Sequence, residues 1–201
     1  MSDFPVALHG ERITAVVVGG GSVGTRKALA LAEAGAQVRV VSPLVTAELE
    51  EAEHQHRITV VRDAYRVDHL EHAMLVVAAT NSREVNAHIA LDANSRGKLV
   101  NITDHADEGN FHTMALHRSG DVTIAVSSGG VPGAAARIRD AIAERFDGRY
   151  ERAVSALRGL RSRLIAGGDD RWRAAAPKLI DDDFCNSVED GSFTEKVDSW
   201  R

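Results

Sequence analysis

Three glycines carry the clearest chemical signal in the sequence: Gly19, Gly21 and Gly24 stand in G-x-G-x-x-G register behind the valine run 16–18. That spacing suits a pyrophosphate, because the first glycine permits a sharp turn, the second lets the backbone approach the phosphates and the third lets a helix pack on the strand. The N–H groups opening the following helix, with their partial positive charge, then face the anion, and Ser22 and Val23 are the residues expected there. The competing reading is a glycine-rich turn with no ligand. The strand-like run before the glycines and the segment Ala28-Leu-Ala-Leu-Ala-Glu-Ala-Gly35 after them supply the context that dinucleotide binding needs.

Further along, an acidic residue normally binds the ribose about 20 residues beyond the glycines. This chain has Ser42 there, followed by Pro43 and Leu44. A hydroxyl bonds a ribose without repelling a 2′-phosphate, so the residues alone leave NAD and NADP open. The apolar run Ala73–Asn81 ends in Thr80 and Asn81, at the kind of strand end where ligands bind in open α/β sheets. Both are cofactor candidates, with a helix cap at Asn81 or Ser82 as the alternative. Asp104 lies just past the next expected strand, where a carboxylate serves as a proton acceptor or only as a loop or capping group. His105, His112 and His117 follow in a spacing that matches no zinc pattern, which leaves His105 and His112 as proton-relay candidates. The segment Ser127-Ser128-Gly129-Gly130 reads as a strand-to-helix turn, in which the glycines can serve the turn alone. Arg118, Arg137 and Arg139, with Arg145, Arg149 and Arg152 beyond, read by themselves as an exposed helix face.

The elements that must position these residues alternate regularly. Phe4–Leu8 is a short apolar segment, His9–Arg12 a turn into the first strand, and Gly35 the stop of the first helix. Strands are expected at Gln37–Pro43, Ile58–Val61, within Ala73–Asn81 and at Lys98–Ile102. Helices are expected at Thr46–Gln55 and Glu84–Ser95, with a connecting turn and helix at Tyr65–His72. Such alternation implies a Rossmann-like, doubly wound parallel sheet over residues 1–112. The pattern then changes: a polar loop Thr103–His112 is followed by hairpin-like segments at Met114–His117 and Asp121–Ser127 and by a helix Ala134–Phe146. Residues 113–147 therefore read as a small α+β dimerisation and substrate region. Residues 148–201 read as a helical carboxyl-terminal region, broken at Gly167–Asp170 and Asp181–Asp183.

Composition narrows the class. A net charge of −5 over 201 residues gives no global attraction to nucleic acid, and no apolar run approaches the about 18 residues of a membrane span. A lone cysteine, Cys185, excludes an intramolecular disulfide and a cysteine-based zinc cluster, so a soluble protein of a reducing cytoplasm is expected.

Taken in order, Val17–Lys27, Val40–Pro43, Ala78–Asn81 with Val85 and Asn86, Val100–Asp104, Asn110-Phe111 with Met114, and Val126–Gly130 are far more specific than the glycines alone. In this set the chain resembles the family of precorrin-2 dehydrogenases and sirohydrochlorin ferrochelatases, which includes the amino-terminal half of siroheme synthase. The likeness covers about residues 4–145, with Trp172-Arg173 and Asp183-Phe184 fitting more loosely. It departs from the family at Val131-Pro132-Gly133, where Ser or Ala usually precedes the proline. The further methyltransferase domain of siroheme synthase does not fit within this length.

The resemblance implies oxidation of precorrin-2 to sirohydrochlorin with NAD rather than NADP, and in bifunctional members insertion of ferrous iron. Asp104 matches the aspartate implicated in both reactions, accepting a proton in dehydrogenation and handling pyrrole protons or transient iron in chelation, with no stably bound metal. Ser127, Ser128, Gly129 and Arg137 are then expected at the carboxylates of the tetrapyrrole, and a phosphate on Ser128 would oppose that polyanion, which makes its hydroxyl a candidate for regulation. The same carboxylates make Arg118, Arg137 and Arg139, with Arg145, Arg149 and Arg152 beyond, candidates for bidentate recognition. A homodimer is expected, with the region after about Val122 contributing to the partner's surface. The reading from a different class is a non-catalytic module that senses NAD(H), which binds nucleotide without turnover.

Overall fold

β-branched side chains favour the extended backbone, and the valine run accordingly forms strand β1 (Thr14–Gly20), buried on both faces. Four more strands, β2 (Gln37–Val45), β3 (Thr59–Val61), β4 (Leu75–Ala78) and β5 (Leu99–Ile102), join it in the order β3-β2-β1-β4-β5. All four pairings are parallel. The structure, a computed structural model, describes residues 3–166 and 169–200 and divides into two units, Met1–His112 and Thr113–Arg201.

In the first unit, helices cover both faces of the sheet, as a doubly wound fold requires. Helices α1 (Ser22–Glu33) and α2 (Ala47–His54) bury Ala28, Leu49 and Ala52 against Val17, Val38, Val40 and Val77. On the opposite face α3 (Arg83–Ser95) buries Ile89, Ala90 and Ala93 against Val16, Val18, Val76 and Val100. Gly35 follows α1 with φ +89°, the left-handed turn that stops the helix. Thr46 caps α2 by accepting from the Leu49 N–H, and Ser82 caps α3 by accepting from the Val85 N–H.

Two elements differ from their expected form. Strand β2 continues beyond Pro43, because Gly20 pairs with Val45 across an irregularity in the β1 register. The connection Tyr65–His72 holds only a single 3-10 turn, Val67–Leu70, pinned by buried His69 and Leu70 and by the Tyr65 hydroxyl, which donates to Asp92 at 2.9 Å.

Strand β5 closes one side of the sheet, and its outer edge is covered by one loop residue instead of a sixth strand. Asn110 accepts from the Val100 N–H through Oδ1 at 2.8 Å, donates through Nδ2 to the Lys98 carbonyl at 2.8 Å, and donates its own N–H to the Val100 carbonyl at 2.9 Å.

The second unit begins with an antiparallel hairpin, β6 (Ala115–Ser119) and β7 (Val122–Val126), turned at Gly120 with φ +54°. Exposure alternates along both strands, and neither contains a fully buried residue. Helices α4 (Pro132–Arg145), α5 (Gly148–Ala166), α6 (Asp169–Leu179), α7 (Phe184–Asp190) and α8 (Phe193–Asp198) follow. Tyr150, Leu160, Leu164, Leu179, Val188 and Phe193 form their core, with Val122 of the hairpin and Phe146 packed against it. Residues 113–147 and 148–201, read separately from the sequence, thus share one apolar core. The break expected at Gly167–Asp170 falls partly on residues 167 and 168, outside the described residues; the one at Asp181–Asp183 separates α6 from α7. Among the described residues no helix is long and apolar enough to cross a membrane.

Candidate active site

Parallel pairing brings the carboxyl ends of β1, β4 and β5 to one edge of the sheet, and with them the glycine turn, Thr80-Asn81 and the segment that carries Asp104. The three fingerprint glycines have distinct geometric tasks. A Cβ on Gly19, whose φ is +114°, would sit 2.2 Å from the Ala79 carbonyl oxygen. One on Gly24 would sit 1.9 Å from the Gly19 carbonyl oxygen, so only glycine lets α1 start this close to β1. A Cβ on Gly21 meets nothing within 4 Å: the backbone there is open to an approaching group. Gly20, which the G-x-G-x-x-G register leaves unassigned, is equally constrained, with its Cβ position 2.3 Å from the Leu44 carbonyl oxygen.

The first bond of α1 runs from the Thr25 N–H to the Gly21 carbonyl at 2.9 Å, so the N–H groups of Ser22, Val23 and Gly24 have no acceptor within the helix. The first turn of α1 holds no carboxylate. Beyond it, burial and the neighbouring Arg26 charge hold Lys27 below the usual lysine range. An open glycine, unspent amides and no competing anion make a turn that fits a dinucleotide pyrophosphate. Thr25 and Thr46, whose hydroxyls share a hydrogen bond at 2.8 Å, tie the starts of α1 and α2 together. No local pattern reveals that pair, since the two residues lie on different elements.

At the end of β2, Ser42 is buried and its hydroxyl donates to the Leu44 carbonyl at 2.7 Å, so the oxygen retains acceptor capacity while its proton shapes the turn. Pro43 and Leu44 beside it are exposed, Leu44 to 83%. Arg39 donates to the Glu71 carbonyl at 3.3 Å and lines a groove at the other edge of the sheet, away from the Ser42 end of its strand.

Thr80 is organised by Asn86, which is fully buried on α3. The Thr80 N–H and hydroxyl approach Asn86 Oδ1 at 3.1 and 2.7 Å, and Asn86 Nδ2 donates to the Thr80 carbonyl at 3.2 Å. Ser82, and not Asn81, is the helix cap, so Asn81 stays exposed at the strand end. Asn86 belongs to the family pattern noted above, but its role shows only in three dimensions; the signal was a polar residue at an apolar helix position.

Asp104 follows β5 with its side chain 35% exposed and one carboxylate oxygen 3.7 Å from His105 Nδ1. The other two histidines have partners elsewhere. His112 approaches Asp3 at 3.8 Å, and His117, on β6 of the second unit, lies 2.6 Å from the Phe146 carbonyl through Nε2. Among the described residues no group of three or more His, Cys, Asp or Glu is arranged to hold a metal ion.

In the second unit, the turn after β7 carries Gly129 and Gly130 at φ +59° and +92°, both with open Cβ positions. The Ser128 hydroxyl closes this turn on the Val131 carbonyl, while Ser127 lies on the strand side of it. Of the arginines, Arg139, Arg145 and Arg149 are paired with Asp140, Glu189 and Asp147. Arg118 and Arg137 are exposed and unpaired with any carboxylate among the described residues, which leaves both guanidinium groups available to an anion.

A groove of about 640 Å³ lies at the amino edge of the first unit's sheet, lined by Thr14, Gln37, Arg39, His56, Arg57 and His72 among others. Helix α2 ends there, and its carbonyl dipoles account for cations beside it. Phosphates belong at the opposite edge, where the helix starts.

Residues 6–115 match a family described as "Putative NAD(P)-binding", and the chain belongs to that family. It is similar to the siroheme synthase of Photobacterium profundum, 33% identical over 202 residues that cover 98% of this chain and 41% of that protein. The siroheme synthase of Chromobacterium violaceum is 35% identical over 180 residues, 89% of this chain and 37% of that protein. The chain thus spans about two fifths of the length of these relatives, at 41% and 37%. Among solved structures it is similar to "SirC, precorrin-2 dehydrogenase", with 27% identity, a TM-score of 0.80, and coverage of 98% of this chain and 100% of that one. The resemblance found in the sequence motifs and the Rossmann-like fold are both borne out.

Proposed function

We propose that this protein is an NAD-dependent dehydrogenase that oxidises precorrin-2 to sirohydrochlorin in siroheme biosynthesis. The observation that carries the reading is the shared carboxyl edge, where the glycine turn after β1 and Asp104 after β5 flank the Thr80-Asn81 end of β4. Likeness to a precorrin-2 dehydrogenase along the whole chain supports it.

Gly19, Gly21, Ser22, Val23 and Gly24 hold the pyrophosphate, Ser42, Pro43 and Leu44 border the adenosine ribose, and Thr80 and Asn81 border the nicotinamide half. When bound, NAD supplies the hydride acceptor. Asp104 accepts the proton that leaves the tetrapyrrole as the hydride departs, and its partial exposure keeps the carboxylate reachable. Ser127, Ser128, Gly129 and Arg137 meet substrate carboxylates, a role that the unpaired state of Arg137 favours. Ferrous iron enters, in this reading, as a substrate for insertion into the product, with Asp104 as its transient contact. The protein works in the cytoplasm in this reading, and as a homodimer, since among the described residues β6 and β7 pair only with each other and bury no residue fully.

Anaerobic incubation with precorrin-2 and NAD tests the reading: sirohydrochlorin and NADH are expected to form together, and siroheme after ferrous iron is added. NAD binding without either product would favour the sensing module instead.

A further inference from the structure

The loop between Asp104 and the first unit's boundary is held to β5 in a way that the proton-accepting role does not by itself require. Its near end is fixed where the Thr103 N–H donates to the Ala78 carbonyl at 3.0 Å. Its far end is fixed by Asn110, whose carboxamide takes both Val100 N–H and Lys98 O and whose Nδ2 also reaches Asn94 Oδ1 at 3.2 Å. Asn94 in turn donates to the Glu108 carbonyl at 3.1 Å, and Arg83 of α3 is ion-paired with Glu108. Gly109 brings the loop this close, since a Cβ there would lie 2.7 Å from the Val100 carbonyl oxygen. Asn101, one residue further along β5, is buried and donates to the Phe111 carbonyl at 3.2 Å.

We propose that Asn110 is a positioning residue for Asp104: by standing in for a neighbouring strand along β5, it closes residues 103–110 into a loop anchored at both ends. This rests on the reading of Asp104 as the proton acceptor. A carboxylate two residues past a strand end has many accessible positions when the chain beyond it is loose. Anchoring both ends of so short a loop removes most of them, and proton transfer is sensitive to displacements of an ångström. Asn110 itself bonds to Val100, Lys98 and Asn94, and acts through the loop.

The test compares Asn110→Ala, Asp104→Asn and the double variant by dehydrogenase turnover, NAD titration and amide hydrogen exchange. Asn110→Ala is expected to lower kcat about tenfold while NAD affinity holds, and to speed exchange of the Val100 amide. The double variant is expected to be no slower than Asp104→Asn alone, because a residue acting through Asp104 has nothing left to position. If Asn110→Ala folds poorly, Asn94→Ala, an exposed change that removes two supports of the same clamp, is expected to lower kcat in the same sense by a smaller factor. Unchanged kcat in a variant whose Val100 amide exchanges faster would overturn the proposal, as would a full further loss on the Asp104→Asn background. Full activity in Asp104→Asn would instead overturn the catalytic reading on which it rests, an outcome distinct from both.

Discussion

Gly21 and Gly24 sit three residues apart and tolerate opposite things. A side chain at Gly21 enters open space on the face assigned to the pyrophosphate, so Gly21→Asp is expected to leave the fold intact and abolish measurable NAD binding in calorimetry. Gly24→Ala drives a methyl to within 1.9 Å of the Gly19 carbonyl oxygen, and is expected to lower the melting temperature before any question of binding arises. Asp104→Asn keeps the size of the side chain and removes its basicity, so turnover with precorrin-2 is expected to fall about 10²-fold or more at unchanged NAD affinity. Asn86 is the residue whose loss reaches furthest, since it satisfies both the N–H and the carbonyl of Thr80 from a fully buried position. Asn86→Ala strands those groups at a cost of about 1–3 kcal/mol. Denaturant unfolding and an NAD titration of that variant are expected to show lower stability together with weaker binding.

The sheet and its three main helices were legible because each carries its own period: β-branched runs between turn residues for the strands, apolar spacing with Thr46, Ser82 and Gly35 as punctuation for the helices. What was not legible has no period. The Asn110 clamp joins a polar loop to a strand 10 to 12 positions away, so pattern reading sees only a loop. Ser42 was read as a ribose contact, but the structure also gives its proton to the Leu44 carbonyl, a backbone acceptor that no side-chain pattern marks. The site was legible where the glycine register states its own geometry and where motif likeness marked Asp104. It was not legible at Thr25, Asn86 and Asn101, whose partners lie on other elements or across a turn. Caps offer a check at this scale: Ser82→Ala is expected to cost about 1 kcal/mol in denaturant unfolding, through loss of the bond from Val85.

For the whole molecule, acid is expected to act unevenly. In the second unit, Arg149 beside Asp147, Arg145 beside Glu189, Asn186 beside Asp183 and the Ser192 backbone beside Asp190 hold those carboxyls below their ordinary values; in the first unit Arg62 does so for Glu53. Folded pKa values below the unfolded ones mean that the unfolded chain binds more protons. The stabilisation is therefore complete above the ordinary carboxylate range and is lost as pH falls through the folded values. Melting curves from about pH 6 to about pH 3 are expected to show a falling midpoint, with NMR signals of the helical unit lost first. Sedimentation at micromolar concentration is expected to show a dimer, and a stable monomer would count against the role given to the hairpin. The amide of Asn110 bears on a different hazard: colloidal behaviour. An uncovered β5 would offer Val100 N–H and the Lys98 and Val100 carbonyls as a template on which another chain could lay down a strand. Loss of the Asn110 carboxamide is then expected to lower solubility as well as turnover, so that Asn110→Ala precipitates at a lower protein concentration than the parent chain.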